Sequence, residues 1–186
     1  MIKEWNKFKG WSVLEYFLLN PNIKIHINEL SRRLGIGLRT AQKFCSEYKE
    51  EGLLNKKEIG NIHQYYINEK DQRIKILKKF IGPYLASDQQ YLKPFIEKNK
   101  NVLSIALYGS FSKGDYGNKS DLDILVITSN EQKINNEDFL HIGSKLEREI
   151  NVMAIPLDRW RKIEREKTDF FNSVKKNNVL IWGNAI

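Results

Sequence analysis

A single cysteine, Cys45, leaves the chain unable to form an intrachain disulfide. A fold stapled by sulfur bridges is excluded, and a reducing, cytoplasmic setting fits. Long hydrophobic runs are missing too. The apolar stretch Val13 to Leu19 is interrupted by Glu15, and nothing approaches the roughly 20 apolar residues a membrane-spanning helix needs, so no membrane partner is expected. Met1 to Lys9 is charged, which does not suit a signal peptide. His26 and His63 have no Cys or His partner at ligand spacing, so no zinc site is expected. There is no internal repeat and no low-complexity segment. What remains is an ordinary globular composition over 186 residues, enough for one large or two small domains. One signal stands out: a formal charge of +8 and a pI near 9.4, which favour a polyanionic partner.

The densest pattern is Val102 to Thr128. The apolar run Leu103 to Tyr108 stops at Gly109-Ser110, a polar glycine-bearing loop follows, and a second apolar run, Ile124 to Thr128, begins just past Asp121 and Asp123. Short Ile/Leu/Val runs bounded by Gly and Ser predict buried strands. Side chains at i and i+2 of a strand share a face, so Asp121 and Asp123 can converge on one cation while Leu122 and Ile124 point inward.

Upstream, Val13, Leu14, Phe17 and Leu18 at helical spacing predict a helix over Trp11 to Leu19, ended by Asn20-Pro21-Asn22. Ile23 to Ile27 alternates as a short strand. Asn28 to Leu34 predicts a helix with Leu30 and Leu34 inward, stopped by Gly35. Gly37 to Glu51 predicts a longer one with Ala41, Phe44, Cys45 and Tyr48 on the core side, and Gly52 at its left-handed C-cap. A Gly60-Asn61 turn before the strand-like His63 to Ile67 predicts a hairpin.

This order, with Leu30-x-x-x-Leu34-Gly35, Thr40 and Glu51-Gly52-Leu53-Leu54, resembles the winged helix-turn-helix domains of archaeal and bacterial regulators over about residues 10–70. The resemblance implies a second helix in the DNA major groove. Arg39, Thr40, Gln42 and Lys43 would then face DNA, with Lys56, Lys57 and His63 on the wing. The alternative is a helical module that binds protein. Glu47, Glu50, Glu51 and Glu58 offset much of the local basic charge.

Residues 69–100 predict two connecting helices, one with Ile74, Leu77, Phe80 and Ile81 and one with Tyr91, Leu92, Phe95 and Ile96, separated at Gly82-Pro83. Their stripes suit core packing, or in one case a homodimer surface. Beyond the central stretch, Glu137 to Glu149 predicts a helix with Phe139, Leu140, Ile142 and Leu146 inward. Ile150 to Ile155 predicts a third strand, ended by Pro156. Asp158 is a candidate cap for a helix running through Trp160 and Ile163 to Phe170-Phe171, and Val179 to Gly183 predicts a last strand or buried tail.

Gly109-Ser110, Lys113-Gly114 and Ser120-Asp121-Leu122-Asp123-Ile124 together resemble the signature of the polymerase β-type nucleotidyltransferase superfamily, in its minimal form, over about residues 100–156. The resemblance implies a nucleotide triphosphate such as ATP held with Mg²⁺ or Mn²⁺. Asp121 and Asp123 would be the catalytic metal ligands, and Gly109, Ser110 and Lys113 would bind the phosphates. Active members carry a third carboxylate on the next strand, and the matching position here is Asn151, with Glu149 two residues back. An amide adds no negative charge and cannot serve as a base.

The expectation is therefore an α+β protein: an N-terminal winged helix-turn-helix (1–68), a helical connector (69–100) and a C-terminal nucleotidyltransferase-fold mixed-sheet α/β domain (101–186). Two functions follow. One is a DNA-binding regulator whose second domain binds Mg–NTP without turnover, as Asn151 suggests. The other is an active enzyme moving a nucleoside monophosphate from NTP to a hydroxyl of a protein, as in toxin–antitoxin pairs, or of a small molecule.

Overall fold

The computed structural model describes residues 7–60, 62–131 and 133–186. Contacts divide the chain into one unit ending at Ile81 and a second spanning Gly82–Ile186.

In the first unit, α1 (Lys9–Leu19) is followed by β1 (Ile25–His26), α2 (Ile27–Leu34), α3 (Leu38–Glu50), β2 (Leu54–Ile59) and β3 (Ile62–Ile67). The strands form an antiparallel sheet in the order β1-β3-β2, with Ile25 opposite Tyr65 and Leu54 opposite Ile67. Val13, Phe17, Leu18, Leu30, Ala41 and Cys45 are wholly buried, so the helical apolar stripes face one core. Burial pushes the Cys45 thiol up to about 12, which makes it a packing residue rather than a reactive one. The expected strand at 23–27 shrinks to two residues because α2 already begins at Ile27. Gly52 ends α3 with φ +80°, and Leu53 N–H donates to Tyr48 O at 2.8 Å in the expected C-terminal cap. In the two-residue hairpin turn Gly60 has φ +57°, while Asn61 lies outside the described residues.

The stretch 69–100 forms α4 (Gln72–Ala86) and α5 (Gln89–Lys98). The expected break at Gly82-Pro83 does not occur. Pro83 sits inside α4, which ends three residues later. Proline costs one backbone bond, but Ile81, Leu85 and Ala86 are buried, and packing outweighs that local preference. The Tyr91 side chain lies outside the described residues; Leu92 and Phe95 are buried as expected.

The second unit is built on a four-stranded sheet in the order β6-β5-β4-β7, from β4 (Val102–Tyr108), β5 (Leu122–Thr128), β6 (Ile150–Pro156) and β7 (Val179–Gly183). β4 runs antiparallel to β5 and β7, whereas β5 and β6 are parallel. The parallel pair needs a crossover, supplied by a 3₁₀ turn at Asn136–Phe139 and α7 (Leu140–Leu146). One sheet face buries Leu125, Ile127 and Ile155 against Trp160, Phe171 and Val174. These last come from α8 (Leu157–Glu166) and α9 (Asp169–Lys176).

Several local expectations are corrected here. The helix expected over 137–149 is only α7, and Leu140, expected inward, is 57% exposed. The long C-terminal helix is two helices. Lys167 turns left-handed at φ +49°, and Thr168 Oγ1 accepts from Phe171 N–H at 3.1 Å, so α9 has its own N-cap. Asp158 does not cap α8, whose N-cap is Pro156; it sits in the first turn, where a carboxylate still favours the helix dipole. The stretch after Gly109 is not a loop at first but one helical turn, α6 (Gly109–Lys113), closed by Gly114 at φ +75°.

Candidate functional site

The site lies where three strands present one lateral row. Tyr108 ends β4 opposite Asp123, and Asp123 in turn registers with Asn151 on β6. Alternation puts Leu122 and Ile124, both wholly buried, on the other face. Asp121 precedes the row by two positions, on the same face. The loop that delivers it is held by Gly117 N–H donating to Ser120 Oγ at 2.9 Å. Leu122 N–H donates to Glu149 O at 2.8 Å, which starts the parallel ladder and sets the register of Asn151.

Gly109 is dictated by this geometry. Its φ is +72°, and a Cβ there would run into the Asp123 carboxylate, 3.0 Å from Cγ and closer still to Oδ2. The space a side chain would need is taken by the Asp123 carboxylate itself. Gly109→Ala is therefore expected to cost about 2 kcal/mol from backbone strain alone, and to displace Asp123. Thermal melting and metal-dependent nucleotide binding should both fall. Ser112 Oγ braces the turn, lying 2.8 Å from Gly109 O and 2.7 Å from Asn177 O, so one hydroxyl proton serves two carbonyls.

Asn151 Nδ2 donates to Asp121 Oδ2 at 3.1 Å. The same amide lies against Asp123 and lowers its pKa, but burial outweighs it and Asp121 adds repulsion, so Asp123 sits above its ordinary value. Tyr108 is raised as well, by burial first and then by Asp123. Its ring stands edge-on to Phe170 at 5.8 Å. The two aspartates and the amide are hard oxygen donors of the kind Mg²⁺ takes together with phosphate oxygens, so the residues fit such an ion. Among the described residues no cluster of three or more His, Cys, Asp or Glu side chains could hold a metal. Glu149, just ahead of β6, is exposed. Ser110 and Lys113 are half-buried on α6, beside the row.

In the first unit, Arg39, Gln42 and Lys43 are exposed and Thr40 half-buried on α3. Lys43 reaches Glu47 at 3.9 Å and Lys56 reaches Glu58 at 2.8 Å. His63 Nδ1 comes to 3.3 Å of the same Glu58 oxygen without hydrogen-bonding alignment. Among the described residues, Arg39 and Lys57 have no ion-pair partner.

Two features escaped the sequence reading. Tyr108 joins the row only through cross-strand register. Phe111 stacks on Tyr116 at 4.0 Å, with the Arg148 guanidinium 6.0 Å from the Phe111 ring. No spacing rule links residues 37 positions apart; the aromatic-Ser-Lys-Gly turn was the only available hint.

The family model described as "Polymerase beta, Nucleotidyltransferase" matches residues 90–185, and the chain belongs to that family. No curated protein matches the chain. Among solved structures it is similar to a candidate nucleotidyltransferase from Sulfolobus solfataricus, at 19% identity over 63% of this chain and 94% of that one, TM-score 0.36. It is also similar to a toxin–antitoxin structure with AMP-PNP, at 19% identity over 52% and 74%, TM-score 0.36. A third is the tri-AMPylated HEPN toxin of Shewanella oneidensis in complex with MNT antitoxin, at 18% identity over 55% and 73%, TM-score 0.34.

Proposed function

We propose that residues 101–186 bind a nucleoside triphosphate with Mg²⁺, and that residues 1–68 form a winged helix-turn-helix that binds DNA, with 69–100 as the helical connector. The observation that carries the reading is the lateral row. Two carboxylates share one face beside Gly109, and the third place, in register with Asp123, holds the neutral Asn151. Asp121 and Asp123 bind the cation, and Ser110 and Lys113 bind the phosphate oxygens. The cation supplies charge neutralisation on the phosphates. Asn151 orients Asp121 through its N–H but cannot take a proton from an attacking hydroxyl. Nucleotide binding without efficient transfer is the consequence, which suits a regulator that responds to nucleotide.

The second reading, an active nucleotidyltransferase acting on a hydroxyl of a protein or small molecule, is favoured by the intact Gly109–Asp123 packing. Radiolabelled ATP and other NTPs with Mg²⁺ or Mn²⁺ decide between them. Saturable metal-dependent binding with no label transfer supports the first, and rapid transfer to an added acceptor overturns it.

For DNA, contacts come from Arg39, Thr40, Gln42 and Lys43 on α3 and from Lys56, Lys57 and His63 on the hairpin. Arg39→Ala and Lys43→Ala are each expected to weaken binding about tenfold or less, and to flatten its salt dependence by about one unit of slope for each phosphate left without its cation. Gel shifts across a salt series check this; binding unchanged in both variants would remove the proposal. Because Glu58 occupies Lys56 and approaches His63, the hairpin should contribute less than α3.

A further inference from the structure

We propose that Leu38 is a specificity-determining residue for DNA. Its side chain packs on a thymine C5-methyl group in the major groove, next to an adenine read by Gln42, so the protein favours A·T-rich sites. The inference rests on the reading above of α3 as the helix that enters the groove.

Leu38 opens α3 and is 48% exposed. Its neighbours Ile36, Ala41 and Cys45 are buried and pack the helix without it. The turn that leads into α3 is tied to α2. Ile36 N–H donates to Ser31 O at 3.1 Å, and Ser31 Oγ donates to Ile36 O at 2.6 Å. The start of α3 therefore holds a large apolar side chain at a fixed place on the surface. A lone exposed leucine is ordinary, so the weight falls on what surrounds this one.

Leu38 and Gln42 stand four residues apart on one helix face, where Cβ atoms are about 6 Å apart. Arg39 and Lys43, exposed like Gln42, form the neighbouring row. From Gly35 to Ser46 the chain has no acidic residue. The first is Glu47, and Lys43 Nζ stays 3.9 Å from it. This half of α3 thus offers positive charge, one amide and one large apolar side chain. The major groove matches all three. Phosphates take the cations, adenine pairs with a Gln amide, and the thymine methyl is the apolar group that base edges present there. Successive bases rise by about 3.4 Å, so side chains about 6 Å apart reach bases one or two steps apart. An adenine and a thymine methyl that close together specify an A·T-rich site.

The test uses the full chain and fluorescent duplexes of alternating adenine and thymine, beside the same duplexes with every thymine replaced by uracil, read by anisotropy. Uracil lacks only the C5-methyl group. One buried methyl is worth about fourfold in affinity, so the thymine duplex is expected to bind about fourfold tighter. Leu38→Ala should bring that ratio below about 1.5, with the melting temperature unchanged. Its salt slope should match the parent's, because no phosphate contact is lost. Leu38→Met, which keeps an apolar side chain of similar reach, should keep the ratio. So should Ile76→Ala, which removes a side chain 66% exposed on α4. Equal binding of the two duplexes by the parent would overturn the proposal. A preference that survives Leu38→Ala would overturn it too, since duplex shape rather than contact would then be read, as would a preference that Ile76→Ala removes equally. A dimer in sedimentation that Leu38→Ala dissociates would make Leu38 a contact between copies, and that result also overturns it. Failure to bind either duplex removes the DNA reading and this inference with it, whereas DNA binding without a thymine preference removes this inference alone.

Discussion

Replacing both Asp121 and Asp123 by alanine is expected to remove metal-dependent nucleotide binding while leaving the metal-free protein no less stable. Each carboxylate–cation contact is on the scale of a charge-assisted bond, about 1.5–3 kcal/mol. Losing both should lower Mg–ATP affinity by at least about 100-fold. Titration calorimetry with and without Mg²⁺ measures this, and affinity within threefold of the parent would refute the site.

The stability half follows from Asp123. Its pKa is raised, chiefly by burial, above the ordinary 3.8. The folded chain therefore binds that proton more tightly than the unfolded chain. The group's contribution is fully present below the unfolded value and is lost as pH rises through the folded value. Near neutral pH the ionised Asp123 thus works against folding, and removing it relieves that cost. Melting temperatures of parent and Asp123→Asn between pH 3 and pH 7 should diverge upward with pH, with the variant the more stable. Added Mg²⁺ should reverse the order by stabilising the parent alone.

Asn151→Asp carries the second large effect. The residue registers with Asp123 and touches Asp121, so an aspartate there completes three converging carboxylates and adds a group able to accept a proton. General-base catalysis contributes about 10²–10⁴-fold. Transfer of label from NTP to a hydroxyl acceptor should rise by at least about 100-fold in the variant. The cost appears without metal. Asn151 now donates a hydrogen bond to Asp121, and a third negative charge replaces that bond with repulsion. The metal-free variant should melt lower than the parent, and Mg²⁺ should restore it. Transfer equal in parent and variant would mean that the amide is not what limits turnover.

The site was legible to the extent that its signals are local. Gly109, Asp121 and Asp123 lie in one stretch of 15 residues, and strand alternation alone puts both carboxylates on one face. Asn151 was legible only through the resemblance to a family. The reason Gly109 must be glycine was not legible at all. It is the Asp123 carboxylate, brought from another strand, that fills the place of its side chain. The helices show the same division. Val13, Leu14, Phe17 and Leu18 predict α1 because a helix repeats locally. Pro83 misled because the buried neighbours that override it are tertiary. The join between α8 and α9 turns on Thr168, a cap signal hidden inside a continuous apolar pattern.

By itself the sequence determined the two strands that flank the candidate site, the paired carboxylates, the amide in the third position and the amphipathic faces of the N-terminal helices. Each depends on residues close in the chain, on a repeat of two or 3.6, or on a recognisable pattern of motifs. Only the tertiary structure decided the lateral row of Tyr108, Asp123 and Asn151, the closeness of Asp123 to Gly109, the exposure of Leu140 and the placement of Arg148 over Phe111. Those depend on register between strands and on packing between elements far apart in the chain, where hydrogen-bonded pairing and excluded volume, rather than local preference, choose the neighbours.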